Sequence, residues 1–382
     1  MDAIYLDHNA TTPVDPDVLD AMLPFLREEY GNPSSTHALG RRARDAVEQA
    51  RAEVASLIGA KPDEIVFTGG GTEASNLAIR GSLAGRRGRD TIVTTAIEHP
   101  ATAECCALLE RLGHPVRRIL PNAGGCVEAQ AVLEAVDGGT ALVTLIHAQN
   151  EIGTMQPIAD IAPVARARGA LLHADAAQSL GKVAVDVDAL GVDLLTIAGH
   201  KLYAPKGVGA LYVRRGVALD PVVVGASQEC GRRPGTENVA FIVGLGTACR
   251  TAAQRLERDR PRLAALTTEL ADRLVRTVPG LIVVGASQQR LPNTLNVLFP
   301  EVSGRRLLAR CPQVLASTGS ACHADREEPS AVLTALGIGH DAALGAVRLS
   351  LGRATATADV EQAARYLVEA WHSLRLAEPA VA

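Results

Sequence analysis

The chain has 382 residues, 47% hydrophobic and 21% charged, which is the balance of a soluble globular protein. Its length exceeds one typical core, so two domains are expected. A formal charge of −4 argues against direct nucleic-acid binding, and 3% aromatic content argues against a base-stacking platform. No apolar run is long enough to span a bilayer, and residues 1–7 show neither a basic nor an apolar leader, so a cytoplasmic protein is expected.

In chain order, helical spacing of Ala, Val and Leu covers residues 45–58. Residues 64–68 read as a short apolar strand and residues 73–80 as a helix. Continuous apolar strands are predicted at 91–94, 141–146, 170–174 and 193–197, with helical stretches between them. That alternation predicts an α/β fold whose mostly parallel sheet is covered on both faces. A long Arg/Glu-rich helix over 247–278 then leads to strands at 280–284, 294–299 and 347–351, a smaller α+β unit. The expected domains are 16–258, and 1–15 together with 259–382.

Lysine is scarce. Only Lys61, Lys182, Lys201 and Lys206 are present, against 34 arginines, so chemistry that needs an amine has few candidates. Lys61 precedes a proline in a turn, and Lys182 follows Gly181 in what reads as another loop. Lys201 closes the apolar run Val192-Asp193-Leu194-Leu195-Thr196-Ile197. A lysine at the end of a buried strand stands over the crevice where α/β sheets bind ligands, and desolvation there favours the nucleophilic free amine. Read alone, Lys201 is better explained as a solvated loop lysine.

Four other features stand out. Thr68-Gly69-Gly70-Gly71-Thr72-Glu73 lies between a strand and a helix, the geometry of a phosphate cradle or of an ordinary tight turn. Asp175 ends an apolar strand, where a buried carboxylate needs a positive partner such as a protonated pyridine nitrogen; capping the next helix is the other reading. Cys322, in Gly319-Ser320-Ala321-Cys322-His323-Ala324-Asp325, sits among small and polar residues that predict an exposed loop, and His323 could raise its thiolate content. Arg348, inside an apolar strand, wants a carboxylate from a structural Asp or Glu or from a substrate. Seven cysteines without a Cys-x-x-Cys pair support neither a disulfide framework nor a metal site; most are expected to be small buried hydrophobes. A phosphate cradle, an Asp for a pyridine nitrogen and a strand-end lysine are together the parts that pyridoxal 5′-phosphate requires.

At the level of motifs the chain resembles the cysteine desulfurases, fold-type I pyridoxal-phosphate enzymes of the class V aminotransferase group. The likeness runs from Tyr5 to about Thr355. It rests on Asp7-His8-Asn9-Ala10-Thr11-Thr12-Pro13, Gly31-Asn32-Pro33-Ser34-Ser35, Glu98-His99-Pro100, Asn150-Glu151-Ile152-Gly153, His173 to Gln178, Gly199-His200-Lys201, Arg233-Pro234-Gly235-Thr236-Glu237-Asn238, and Gly319 to Cys322. The resemblance implies a large cofactor-binding domain and a small domain carrying a cysteine loop at about 317–330. It implies that Lys201 bonds the cofactor and moves the Cα proton, that Asp175 pairs with the pyridine nitrogen, that Gln178 bonds the ring hydroxyl and that His99 stacks on the ring. Gly71, Thr72 and His200 would hold the phosphate, joined by Thr236 from a neighbouring subunit, which makes the expected unit a homodimer. Asn150 and Arg348 would clamp the substrate carboxylate. The implied reaction converts L-cysteine to L-alanine and leaves the sulfur as a persulfide on Cys322, for transfer to an acceptor protein such as an iron–sulfur scaffold or a thiolation carrier.

Three positions depart from the family pattern. Ala198 stands where many relatives have a phosphate-binding serine. Cys230 lies in an unusual Gly225-Ala226-Ser227-Gln228-Glu229-Cys230 segment. The chain ends at Ala382, without the longer tail that some relatives use on a scaffold. Selenocysteine lyases look similar around residues 232–238, 291–294 and 321–323. The length of 317–330 and its Glu328-Pro329-Ser330 ending favour the desulfurases. A simple class V aminotransferase would not need Cys322. A catalytically silent protein on this fold would not need Lys201, Asp175, His99, Cys322 and Arg348 together.

Overall fold

A computed structural model describes residues 3–83, 88–285, 289–319 and 328–377. The strands in chain order are β1 (Ile4–Tyr5), β2 (Ile65–Thr68), β3 (Thr91–Thr95), β4 (Val116–Ile119), β5 (Thr140–Ile146), β6 (Leu171–Asp175), β7 (Leu194–Ala198), β8 (Gly209–Val213), β9 (Ile282–Val284), β10 (Thr294–Leu298), β11 (Val314–Leu315) and β12 (Ala346–Ser350). Among the described residues seven of them form one sheet, ordered β2-β8-β7-β6-β5-β3-β4. Only β8 runs antiparallel to its neighbours.

The continuous apolar runs fold as expected. Every residue of β5, β6, β7 and β8 is buried, because helices cover both faces of the sheet. Val143, Leu145, Leu172, Leu195 and Ile197 pack on one side with the helix Ala38–Leu57; Leu142, Leu171 and Leu194 pack on the other with the helices Gly71–Gly81 and Pro100–Arg111. Each such side chain contributes roughly 1.5–3 kcal/mol by leaving water.

Two strands of the large sheet were not foreseen, nor was the short pair β1 and β11. In β4, Arg117 and Arg118 are exposed at the sheet edge, which breaks the apolar pattern. The reversed strand β8 follows a Gly- and Pro-bearing segment that reads as loop.

The long helix spans Val239–Thr277, beginning eight residues earlier than its charge pattern implied. Asn238 caps it by accepting from the Phe241 N–H. Its first half adds Leu245, Ala248, Cys249 and Ala252 to the large core; beyond Pro261, Leu263, Leu266, Leu270 and Leu274 join a second core. That second core lies against the antiparallel sheet β12-β10-β9 and the helix Thr357–Ala377, with Leu367 and Trp371 fully buried. The amino-terminal segment belongs to it as well, since β1 pairs in parallel with β11. Residues 7–15 then cross to the large sheet: Asp7 bridges Ser350, Thr12 donates to the His200 carbonyl, and Asp15 caps the helix Pro16–Arg27.

Candidate active site

The site gathers at the carboxyl ends of the parallel strands, the edge at which open α/β sheets take ligands. Asp175 ends β6, Ala198 ends β7 and leads into Gly199-His200-Lys201, Thr68 ends β2, and β3 leads through Glu98 to His99. A cavity of about 630 Å³ is lined by His99, Asn150, Gln178, Lys201 and Arg348, together with Asn9, Glu98 and Glu151. It therefore brings together five of the residues singled out from sequence.

Burial, with Arg348 nearby, pushes the Lys201 amine down to about 8, against the opposing pull of Asp7 and Asp175. Its Nζ donates to the carbonyl oxygens of Asn9 and Ala10. Asp175 is buried and accepts a hydrogen bond from the Ala177 N–H at 2.9 Å within a turn; the next helix, Val187–Leu190, is capped by Asp186, so Asp175 is not a helix cap. Desolvation raises its pKa, while the Ala177 bond and the charges of His99 and Lys201 hold it down. His99 caps the helix Pro100–Arg111: its Nδ1 accepts from the Ala101 N–H at 3.1 Å, which leaves the ring proton on Nε2. Burial lowers the pKa of this ring, and Asp175 opposes the shift.

The glycine-rich turn opens the helix Gly71–Gly81, whose N-cap Gly70 offers no side chain. The first helical N–H groups therefore lack intrahelical partners and, with the helix dipole, favour an anion. A Cβ on Gly71 would lie 2.9 Å from the Ala198 Cβ, so only glycine lets the backbone approach β7 this closely. Thr72 is exposed at this turn, and His200 Nδ1 lies 3.2 Å from Thr11 Oγ1. Thr236 is exposed within its own chain. Cys322 and His323 lie outside the described residues.

Arg348 has a structural partner. Its Nη2 donates to Asp7 Oδ1 at 2.7 Å and its Nη1 to the Asn150 carbonyl at 3.3 Å. Sequence reading also missed several neighbours. Lys182 is only 8% exposed; what reads as a loop amine points inward, because Gln178 and Asn9 take it up. Asn9 connects the site through its carbonyl, Oδ1 and Nδ2, which meet Lys201, Gln178, Lys182, Asn150 and Thr294. Burial raises Glu98 to about 8; its Oε1 accepts from Thr95 and Ile146, while Oε2 is buried without a partner. The motif Asp7 to Pro13 was the signal for Asn9. Nothing local marked Lys182.

The aminotransferase class-V family model matches residues 4–363. A curated cysteine desulfurase from Nostoc sp. is 43% identical over 381 residues, covering 99% of this chain and 95% of the relative. The chain belongs to the cysteine desulfurases of the class-V aminotransferase family. A solved NifS-like protein superposes with a TM-score of 0.90 at 34% identity, covering 98% of this chain and 100% of its own, which is the fold-type I architecture. SspA, solved in complex with cysteine, is 38% identical with a TM-score of 0.80, covering 91% of this chain and 98% of its own. Cysteine desulfurases are pyridoxal-phosphate enzymes that act on L-cysteine and pass its sulfur to acceptor proteins. The residues present fit that cofactor: an uncapped helix N-terminus for a phosphate, a buried carboxylate for a ring nitrogen, and a largely desolvated amine.

Proposed function

We propose that this chain binds pyridoxal 5′-phosphate at the carboxyl edge of its sheet and converts L-cysteine to L-alanine, with Cys322 taking the sulfur. What carries the reading is the convergence of Lys201, His99, Gln178, Asn150 and Arg348 on one cavity, with the Lys201 amine held near 8. The N–H groups at Gly71 and Thr72, with His200, would hold the phosphate, and Thr236 of the partner subunit would complete that grip in a homodimer. Asp175 would pair with the pyridine nitrogen and keep it protonated. Gln178 would bond the ring hydroxyl and His99 would stack on the ring.

When bound, the cofactor supplies an electron sink for the charge left at Cα. Lys201 Nζ is the group that bonds the cofactor at rest and takes the Cα proton, because a pKa near 8 leaves a usable share of free amine at neutral pH. Asn150 and the Arg348 guanidinium orient the substrate carboxylate; Asp7 fixes the Arg348 plane. Cys322 Sγ then bonds to the substrate sulfur as the Cβ–S bond breaks. Cβ gains a proton to become the methyl of alanine, and Cys322 keeps the persulfide. That sulfur passes to an acceptor protein, an iron–sulfur scaffold or a thiolation carrier, in the cytoplasm. Among the described residues no helix is long and apolar enough to cross a membrane.

The test is a single turnover of purified protein with L-cysteine and, separately, L-selenocysteine, following alanine and the mass of the Cys322 peptide. Alanine from cysteine with one added sulfur on Cys322 is expected, and Lys201→Ala should abolish it. Alanine from selenocysteine alone would make the chain a selenocysteine lyase. Alanine at the parental rate from Cys322→Ala would show that Cys322 does not take the sulfur, and amino-group exchange with no alanine from cysteine would make the chain a simple aminotransferase.

A further inference from the structure

The geometry points to Lys182 as a positioning residue that fixes which edge of the Gln178 amide, and which edge of the Asn9 amide, faces the active site. This rests on the reading that the site binds pyridoxal phosphate.

Lys182 Nζ lies 2.7 Å from Gln178 Oε1 and 2.9 Å from Asn9 Oδ1. Both are neutral acceptors, and no carboxylate pairs with this amine among the described residues. Its other charged surroundings are repulsive, Lys201 and Arg348. An isolated ammonium here is costly, and burial holds the amine far below its ordinary pKa. A neutral amine has two N–H groups, and the two acceptors use both.

The consequence falls on Gln178. An amide presents either its oxygen or its NH₂ to a neighbour. Lys182 claims the oxygen, and the Asn9 carbonyl takes one N–H from Nε2 at 2.9 Å. The second N–H remains for the cavity that Gln178 lines beside Lys201 and His99. Reversing the amide would set its oxygen against the Asn9 carbonyl. The same logic holds for Asn9. Its Oδ1 accepts from Lys182 and Asn293, so its Nδ2 is turned to the Asn150 carbonyl and Thr294 Oγ1. One buried amine thus presents a donor, rather than an acceptor, to the oxygen substituent of a bound pyridine ring. It also steadies the turn that carries Asn150.

The experiment compares the parent, Lys182→Met, Gln178→Ala and the double variant. Each cofactor-free protein is titrated with pyridoxal phosphate, and the visible band of the loaded protein is titrated with pH. Losing a donor to the ring oxygen disfavours its anion. Lys182→Met should therefore bind the cofactor about tenfold more weakly. It should also raise the pH midpoint of the band by about half a unit or more. Gln178→Ala should do the same, and the double variant should match either single one. Parental affinity and midpoint in Lys182→Met, or shifts that add in the double variant, overturn the assignment. A parent that takes up no pyridoxal phosphate overturns the functional reading and this assignment with it.

A second measurement does not depend on how Lys182→Met folds. Cyanate labelling of the cofactor-free parent, read by mass spectrometry, should modify the exposed Lys61 and spare Lys182, whereas Gln178→Ala should open Lys182 to the reagent. Equal protection of Lys182 in both proteins would show that Gln178 does not cover it.

Discussion

Glu151 holds a buried carboxylate against Gly319 and Ser330. Ser330 Oγ donates to its Oε2 at 2.5 Å, and the α-carbon of Gly319 is so close that a Cβ there would lie 2.8 Å from the same oxygen. Gly319 also has φ +83, so the position favours glycine on two counts. Burial raises the Glu151 pKa to about 7, with the Ser330 bond and Arg348 opposing. The folded chain therefore keeps this proton after the unfolded chain has lost it. The stability it contributes is complete below the unfolded value and is lost as pH rises through 7. Glu151→Gln keeps an acceptor for Ser330 and cannot ionise. The variant should match the parent near pH 4.5 and exceed it at pH 9 by about 3 kcal/mol at most. Denaturation midpoints at the two pH values check this; an equal difference at both would remove Glu151 as the titrating group.

At the scale of elements, the site depends on how β7 meets the helix Gly71–Gly81. Ala198 ends β7, and its Cβ faces the glycine that opens the uncapped helix. A hydroxyl at that Cβ would point at the same anion-binding N–H groups. Ala198→Ser should thus tighten pyridoxal phosphate by about five- to tenfold, the worth of one added hydrogen bond. Equilibrium titration of the cofactor-free variant decides it: unchanged or weaker binding means that the β7 end does not reach the phosphate. Strand ends of this kind are where the sequence was most legible. Asp175 and Lys201 close runs of apolar residues buried on both faces, and a polar group ending such a run must stand at the sheet edge. Gly71 was legible because its neighbours are a strand and a helix. Asn9 and Glu151 were marked only as members of motifs, and Lys182 not at all, since their partners lie more than 140 residues away or depend on a side chain turning inward. Arg348 was half legible: its need for a carboxylate was plain, but Asp7 is 341 residues distant. The edge strand β4 was lost to its two exposed arginines, and β8 to the Gly- and Pro-bearing segment before it, which reads as loop.

For the whole molecule, we propose the division anticipated from sequence: 16–258 as one unit, and 1–15 with 259–382 as the other. The long helix supports it, since it last joins the large core at Ala252 and first joins the small one at Leu263, with Pro261 between them. Arg353 meets the large unit at Tyr203 and ties the two segments of the small unit together at Asp15. Its guanidinium lies 4.1 Å over the Tyr203 ring, 3.1 Å from Asp15 and 3.9 Å from Asp259, and its backbone N–H donates to Tyr203 Oη at 2.7 Å. Asp15 and Asp259 are both buried. Arg258 reaches the other oxygen of Asp259 at 3.1 Å, whereas Arg353 is the cation paired with Asp15 among the described residues. Removing it strands a buried carboxylate, which in such pairs costs about 3–5 kcal/mol. Arg353→Ala should lose that much stability, measured by chemical denaturation at pH 7. Arg353→Lys should recover only part, because an ammonium reproduces the charge but neither the planar stack on Tyr203 nor the reach to two carboxylates. Asp15→Asn combined with Arg353→Ala should cost less than Arg353→Ala alone, since the stranded charge is gone. If Arg353→Ala stays within about 1 kcal/mol of the parent, the range of an exposed pair, then Arg353 is not what compensates the buried charge of Asp15.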